Sequence, residues 1–258
     1  MGHERVGILP RRKRWHDIAR EIHAALNGTP ADTATLASGV LQEVRGRYRR
    51  LPQDSGVQAA FGYLVALATQ NENTGVGFAS ATIDLHNNPS PARITAQLAE
   101  WVKTHAASPE YAELASRAAA DAIAMWTRKN TRQQLLFDDQ THAINIWGNV
   151  DGKGFCEVAR TFFAKLTDRY LRYFIERSAS AEAPSLEARQ RLGRTLSSQM
   201  EDVSQHAFET SKITQSFAAG WFNKHAREGS PTDLELSHFL AHAFGKLQEE
   251  LSRESPGK

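Results

Sequence analysis

The residue pattern of this chain describes an all-α protein, a multi-helix bundle of about eight helices. Three observations carry that reading. Apolar residues recur at three- and four-residue steps along most of the chain, the spacing that lines one side of an α-helix. Three of the runs open at Ser-Pro, at Ser90-Pro91, Ser108-Pro109 and Ser230-Pro231. There a serine oxygen can accept from the exposed first-turn amides, and proline gives up a donor that had no partner. Only residues 71–91 and 127–154 lapse from helical spacing. In the first lapse Ala79, Ala81, Ile83 and Leu85 alternate with Ser80, Thr82 and Asp84, as a short half-buried strand does. With a second short strand at 144–147, the helices would carry a minor two-stranded β element.

Taken in order, Trp15, Ile18, Ile22 and Leu26 mark a first helix that Asn27-Gly28 and Pro30 stop. Leu36, Val40, Val44 and Tyr48 mark a second, which ends near Leu51-Pro52 with Arg45, Arg47, Arg49 and Arg50 in its last turns. Positive charge there suits the carbonyl end of the helix dipole. Asp54 or Ser55 can cap a third helix, apolar around most of its circumference and a candidate for the centre of the bundle. The helices that open at Ser90 and Ser108 follow each other closely and read as an antiparallel hairpin. Residues 155–177 are the most strongly patterned segment, with Phe155, Phe162, Phe163, Leu166, Tyr170 and Phe174 on one face and charges on the other. A long stripe from Leu192 to Trp221 and a last helix through Leu236, Leu240, Phe244 and Leu247 complete the set.

A single helical domain over residues 1–258 is expected, with an arm at 1–10, a tail at 254–258 and an internal boundary, if any, in the small-residue run at 178–185. At 41% hydrophobic and 23% charged residues the chain can bury a core and is not expected to be disordered. Lysine and arginine stand at 31 against 29 aspartates and glutamates, too even to send the whole molecule to nucleic acid or a membrane. One cysteine, Cys156, leaves no internal disulfide and fits a cytoplasmic setting. Residues 1–15 have no apolar segment behind their charges, and the longest apolar run, 57–68, is too short to span a bilayer.

Five features could carry chemistry. Gly152, Lys153 and Gly154 sit where the strongly patterned helix starts, and free amides beside a lysine can hold a small anion. The surrounding glycines do not make a nucleotide-binding loop: one residue too few separates Gly148 from Gly152, and Gly154 stands where Ser or Thr would bind magnesium. Arg11, Arg12, Lys13 and Arg14 precede Trp15, where positive charge opposes the dipole, and such an arm can hold nucleic-acid phosphates or an acidic protein surface. Phe208, Phe217, Trp221 and Phe222 lie among uncharged polar residues, as at a helix covered by the chain's own neighbours or by a partner. Glu235, His238 and His242 have chelating spacing but face away from the apolar stripe, so a solvated face is the better reading and no metal is expected. Cys156, in a first turn whose dipole would lower a thiol pKa, lacks a nearby catalytic signature, and His206 and His225 read as structural.

No cofactor is expected, and no serine-elbow, zinc-protease or kinase signature is present. The leading expectation is therefore a non-enzymatic interaction or scaffold protein, a subunit of a larger cytosolic assembly of bacterial style, formed with a protein partner or by self-association. Two alternatives stand beside it: binding of nucleic acid or an acidic partner through the basic arm, and an enzyme with a composite metal or anion site.

Overall fold

The computed structural model describes residues 13–27, 29, 33–69, 77–84, 90–107, 109–137, 146–148, 150–182, 216–226 and 229–253, with isolated positions between 186 and 194. These residues form eight α-helices and one 3-10 turn. In chain order the helices are α1 (Lys13–Leu26), α2 (Thr33–Tyr48), α3 (Ser55–Thr69), α4 (Pro91–His105), α5 (Pro109–Phe137), α6 (Gly152–Glu182), α7 (Ser216–His225) and α8 (Asp233–Arg253). The 3-10 turn, Leu51–Gln53, links α2 to α3. The protein is an all-α bundle.

Helix α3 is the hydrophobic centre. Its residues from Gly56 to Ala68 are buried almost without interruption, because α4, α5, α6 and α8 all pack on it. Phe61 sits among the rings of Phe155, Phe162 and Phe163 of α6 and Phe239 of α8, at centroid distances from 5.3 to 6.0 Å. Burying one such ring stabilises the fold by about 1.5–3 kcal/mol. Farther along α6, Tyr170 meets Tyr48 at 5.5 Å, and the Tyr48 hydroxyl lies 2.9 Å from Thr167 Oγ1 inside the core. The aromatic face expected of residues 155–177 is thus the seam that holds α2, α3, α7 and α8 together.

Several helix ends follow from single residues. Asp54 caps α3, its Oδ1 accepting from the amides of Gly56 at 2.9 Å and Val57 at 3.1 Å. Ser90 caps α4 by accepting from the Arg93 amide. The start of α8 differs from expectation. Thr232, not Ser230, is the cap: the Glu235 amide donates to Thr232 Oγ1 at 3.3 Å, and the Thr232 amide donates to Glu235 Oε2 at 2.9 Å. This is a reciprocal capping box, spelled T-D-L-E in the sequence.

Neither stretch read as a strand forms one where it is described. Residues 77–79 turn, the Ser80 amide donating to the Gly77 carbonyl at 3.2 Å, and two further amides of the segment bond to side chains rather than to a second strand. The Phe78 amide donates to Asp233 Oδ1 at 2.7 Å, and that of Asp84 to Gln97 Oε1 at 3.3 Å. Ala79 and Ala81 are buried, so the alternation records one covered side of a segment laid over the bundle. Ile146, Trp147 and Gly148 form a turn; Leu85, Asn87, Ile144 and Asn145 lie outside the described residues. The lapse expected from Thr127 also begins later, since α5 runs on to Phe137. The sequence from Thr127 to Gln134 contains neither glycine nor proline, so a polar helix can continue in solvent with no apolar stripe to mark it. Helix α6 likewise extends to Glu182, well into the small-residue run.

Candidate interaction surface

Helices α1 and α2 pack together and α1 also lies on α6. Trp15, at the start of α1, meets the Phe174 ring edge-on at 6.4 Å, while the Arg47 guanidinium, near the end of α2, lies 5.8 Å over the same ring. Phe174 therefore brings the first turn of α1 beside the last turn of α2. Two basic clusters more than thirty residues apart in sequence, on the order of nine helical turns, come to the same end of the α1–α2 pair, with Arg47 toward Phe174 and Arg45 and Arg49 toward α8. Lys13, Arg14, Arg45, Arg49 and Arg50 are exposed at that end and Arg47 is half-buried. Arg11 and Arg12 lie outside the described residues.

None of these six cations pairs with a carboxylate among the described residues. Elsewhere the surface charges are largely matched: Asp17 with Arg20, Arg169 with Asp121 at 2.8 Å, Arg172 with Asp168 at 2.9 Å, Lys246 with Glu249 at 2.8 Å. The dipole of α2 favours arginines at its carbonyl end, but Lys13 and Arg14 sit at an amide end that has no acidic residue in its first turn. Local helix electrostatics accounts for the four arginines at the end of α2. It does not account for Lys13 and Arg14.

The remaining sequence candidates fall elsewhere. At the start of α6, Asp151 occupies the cap, its Oδ1 accepting from the Gly154 amide at 2.7 Å and its carbonyl from Phe155 at 2.8 Å. A carboxylate thus stands where an anion would bind. The two glycines serve packing: a Cβ on Gly154 would lie 2.6 Å from the Trp126 ring, and one on Gly152 3.1 Å from Ala219 of α7. Lys153 is exposed beside them.

Trp221 and Phe222 are not surface anchors. Phe222 stacks on Phe155 at 4.5 Å and Trp221 packs on Phe239 at 4.6 Å, so the chain covers them itself. Phe217 is half-buried and stacks on Phe239 at 5.4 Å; Phe208 lies outside the described residues. The run on α8 is divided by Glu235, which serves the capping box and also holds His225, whose Nδ1 lies 2.9 Å from Glu235 Oε1. Those hydrogen bonds, first of all from the Thr232 backbone, hold the Glu235 carboxyl below the usual range. His238 and His242 are exposed, with His242 against the Phe217 ring at 4.3 Å. No three metal-ligating side chains converge among the described residues.

Cys156 is buried, and burial pushes its thiol pKa up, outweighing the neighbouring Arg160. The described helices include none long and apolar enough to cross a membrane. His142 and His206 lie outside the described residues.

Fold and surface together define an all-α bundle with one basic end. The chain matches no protein-family model, no characterised protein and no solved structure at a significant level. Its reading therefore rests on its own residues. In the sequence the two basic clusters stand apart, one at 11–14 and one at 45–50. The signal that joins them was present in the short connection at 27–32, which forces α1 and α2 to run antiparallel and returns the end of one to the start of the other.

Proposed function

We propose that the protein is a non-enzymatic interaction protein of a larger assembly, and that it docks an acidic surface of a protein partner through the basic end built by α1 and α2. The observation that carries this reading is the convergence of Lys13, Arg14, Arg45, Arg47, Arg49 and Arg50 on one end with no carboxylate among the described residues to neutralise them. Exposed like charges cost little in water, and they gain steering and specificity when an oppositely charged surface arrives. Arginine also offers a planar fork that bonds a carboxylate through two N–H groups.

Trp15 favours a protein partner over a nucleic acid. The aromatic beside the basic arm is 4% exposed and packed on Phe174, so it offers no platform for stacking bases. The near-even charge of the whole chain, 31 to 29, points the same way.

Binding of polyglutamate and of a duplex oligonucleotide of matched charge, measured over a range of salt, tests the reading. Polyglutamate should bind, weaken as salt rises, and lose at least about tenfold in affinity, ~1.4 kcal/mol, when Lys13, Arg14, Arg47 and Arg50 are changed to glutamate. No binding of either probe contradicts the proposal. A tenfold preference for the oligonucleotide would make the basic end a nucleic-acid surface instead.

A further inference from the structure

A groove continues from the basic end along α8. It is bounded by the last turns of α2, the 3-10 turn and one face of α8, and encloses about 680 Å³, within the ~300–1,000 Å³ typical of ligand sites. Leu234 and Ala241 are the apolar residues exposed along it, with Pro52 and Phe244 buried beneath. Gly245 also lines it, and a Cβ there would meet nothing within 4 Å, so the space above α8 is open.

Its polar groups are arranged for an acceptor. Arg45 and Arg49 form the α2 wall and pair with no carboxylate among the described residues. On α8 the charges are already engaged: Glu249 with Lys246 at 2.8 Å and Arg253 with Glu250 at 2.6 Å, with His238 exposed at the rim. Between these walls lies Gln248, 5% exposed. Arg49 Nε donates to Gln248 Oε1 at 3.1 Å. Because a guanidinium only donates, this bond fixes the oxygen toward Arg49 and turns the amide nitrogen the other way. Gln248 Nε2 has no hydrogen-bond partner among the described residues. The nitrogen is itself buried, and the oxygen holds the Arg49 side chain in the groove wall.

We infer that this groove binds an acidic segment of a protein partner in extended form, its carboxylates on Arg45 and Arg49 and its apolar side chains along Leu234 and Ala241. The inference rests on the proposed function and specifies how the basic end selects its partner. Along α8 the groove runs from Leu234 to Arg253, about 28 Å at ~1.5 Å per residue. An extended chain covers that length in about eight residues at ~3.3 Å each.

Fluorescence anisotropy with two labelled ten-residue peptides of equal charge, one alternating Glu-Leu and one Glu-Ser, tests it. The wild-type protein should bind Glu-Leu at least about fivefold more tightly. Gly245→Trp, which fills open space, and Leu234→Ser, which removes the exposed apolar contact, should each abolish that preference and leave Glu-Ser binding in place. Lys13→Glu/Arg14→Glu/Arg50→Glu, outside the groove, should weaken both peptides alike. Equal affinity of the two peptides for the wild-type protein, or a preference that survives both groove variants, overturns the groove while leaving the basic-end reading intact. Failure of both peptides to bind overturns both.

Discussion

Gly62 is the residue whose role is most sharply defined by its neighbours. A Cβ there would lie 2.3 Å from the Phe78 carbonyl oxygen, which is main chain and cannot swing aside. Gly62→Ala should gain about 1 kcal/mol of helix propensity and lose more to overpacking, for a net loss of about 2 kcal/mol. Urea denaturation will read that loss, and exchange of the Phe78 amide should accelerate with it. Tyr48, Tyr63 and Tyr170 give a second outcome. Burial raises all three phenol pKa values above the usual range, so above pH ~10 the unfolded chain releases protons that the folded chain keeps. Their stabilising contribution is complete below that pH and lost as pH rises beyond it. The urea midpoint should fall steeply between about pH 9.5 and 11; a flat midpoint would contradict the burial of these hydroxyls.

The helix ends show how much of the local structure can be read from residues and where reading fails. Asp54 and Ser90 act as expected because one residue of the right type stands where the apolar period begins. Ser230-Pro231 has the same spelling, yet Thr232 wins, because Glu235 three residues on can return a bond to it. Ser230 Oγ is left buried with no partner among the described residues. Thr232→Ala should therefore cost about 1 kcal/mol, while Ser230→Ala should cost nothing measurable in the same thermal melts; the reverse order would restore the Ser-Pro reading. The lapse at 71–91 misled for a related reason. Alternation reports which side of a segment is covered, and Ala79 and Ala81 are covered, but it cannot report whether a second strand is alongside. Here Asp233, from the distant α8, and Gln97, from the adjacent α4, supply the partners instead. Asp233→Ala should release the segment and raise hydrogen exchange across 77–84 with little change elsewhere.

Across the whole molecule, the fold was far more legible than the surface. Core helices announce themselves by period, and α3 and α6 were readable as the buried pair because their apolar residues are too many for one face or too aromatic for solvent. The aromatics at 217–222 were readable as apolar but not as internal, since only assembly reveals that Phe155 and Phe239 cover Trp221 and Phe222. The basic end is a property of assembly too: neither cluster exceeds what a solvated helix end carries, and Phe174 brings them to the same end. Gln248 had no sequence signal, because a glutamine on a helix is ordinary until its neighbours are known. The most direct measurement is lysine acetylation followed by mass spectrometry, with and without polyglutamate. Lys13 stands in the cluster, whereas Lys103 and Lys224, equally exposed, end α4 and α7. Polyglutamate should protect Lys13 at least about threefold at low salt, lose that protection at ~0.5 M salt, and leave Lys103 and Lys224 unchanged. Uniform protection of all three lysines, or none at Lys13, would contradict a basic end built to receive an acidic partner.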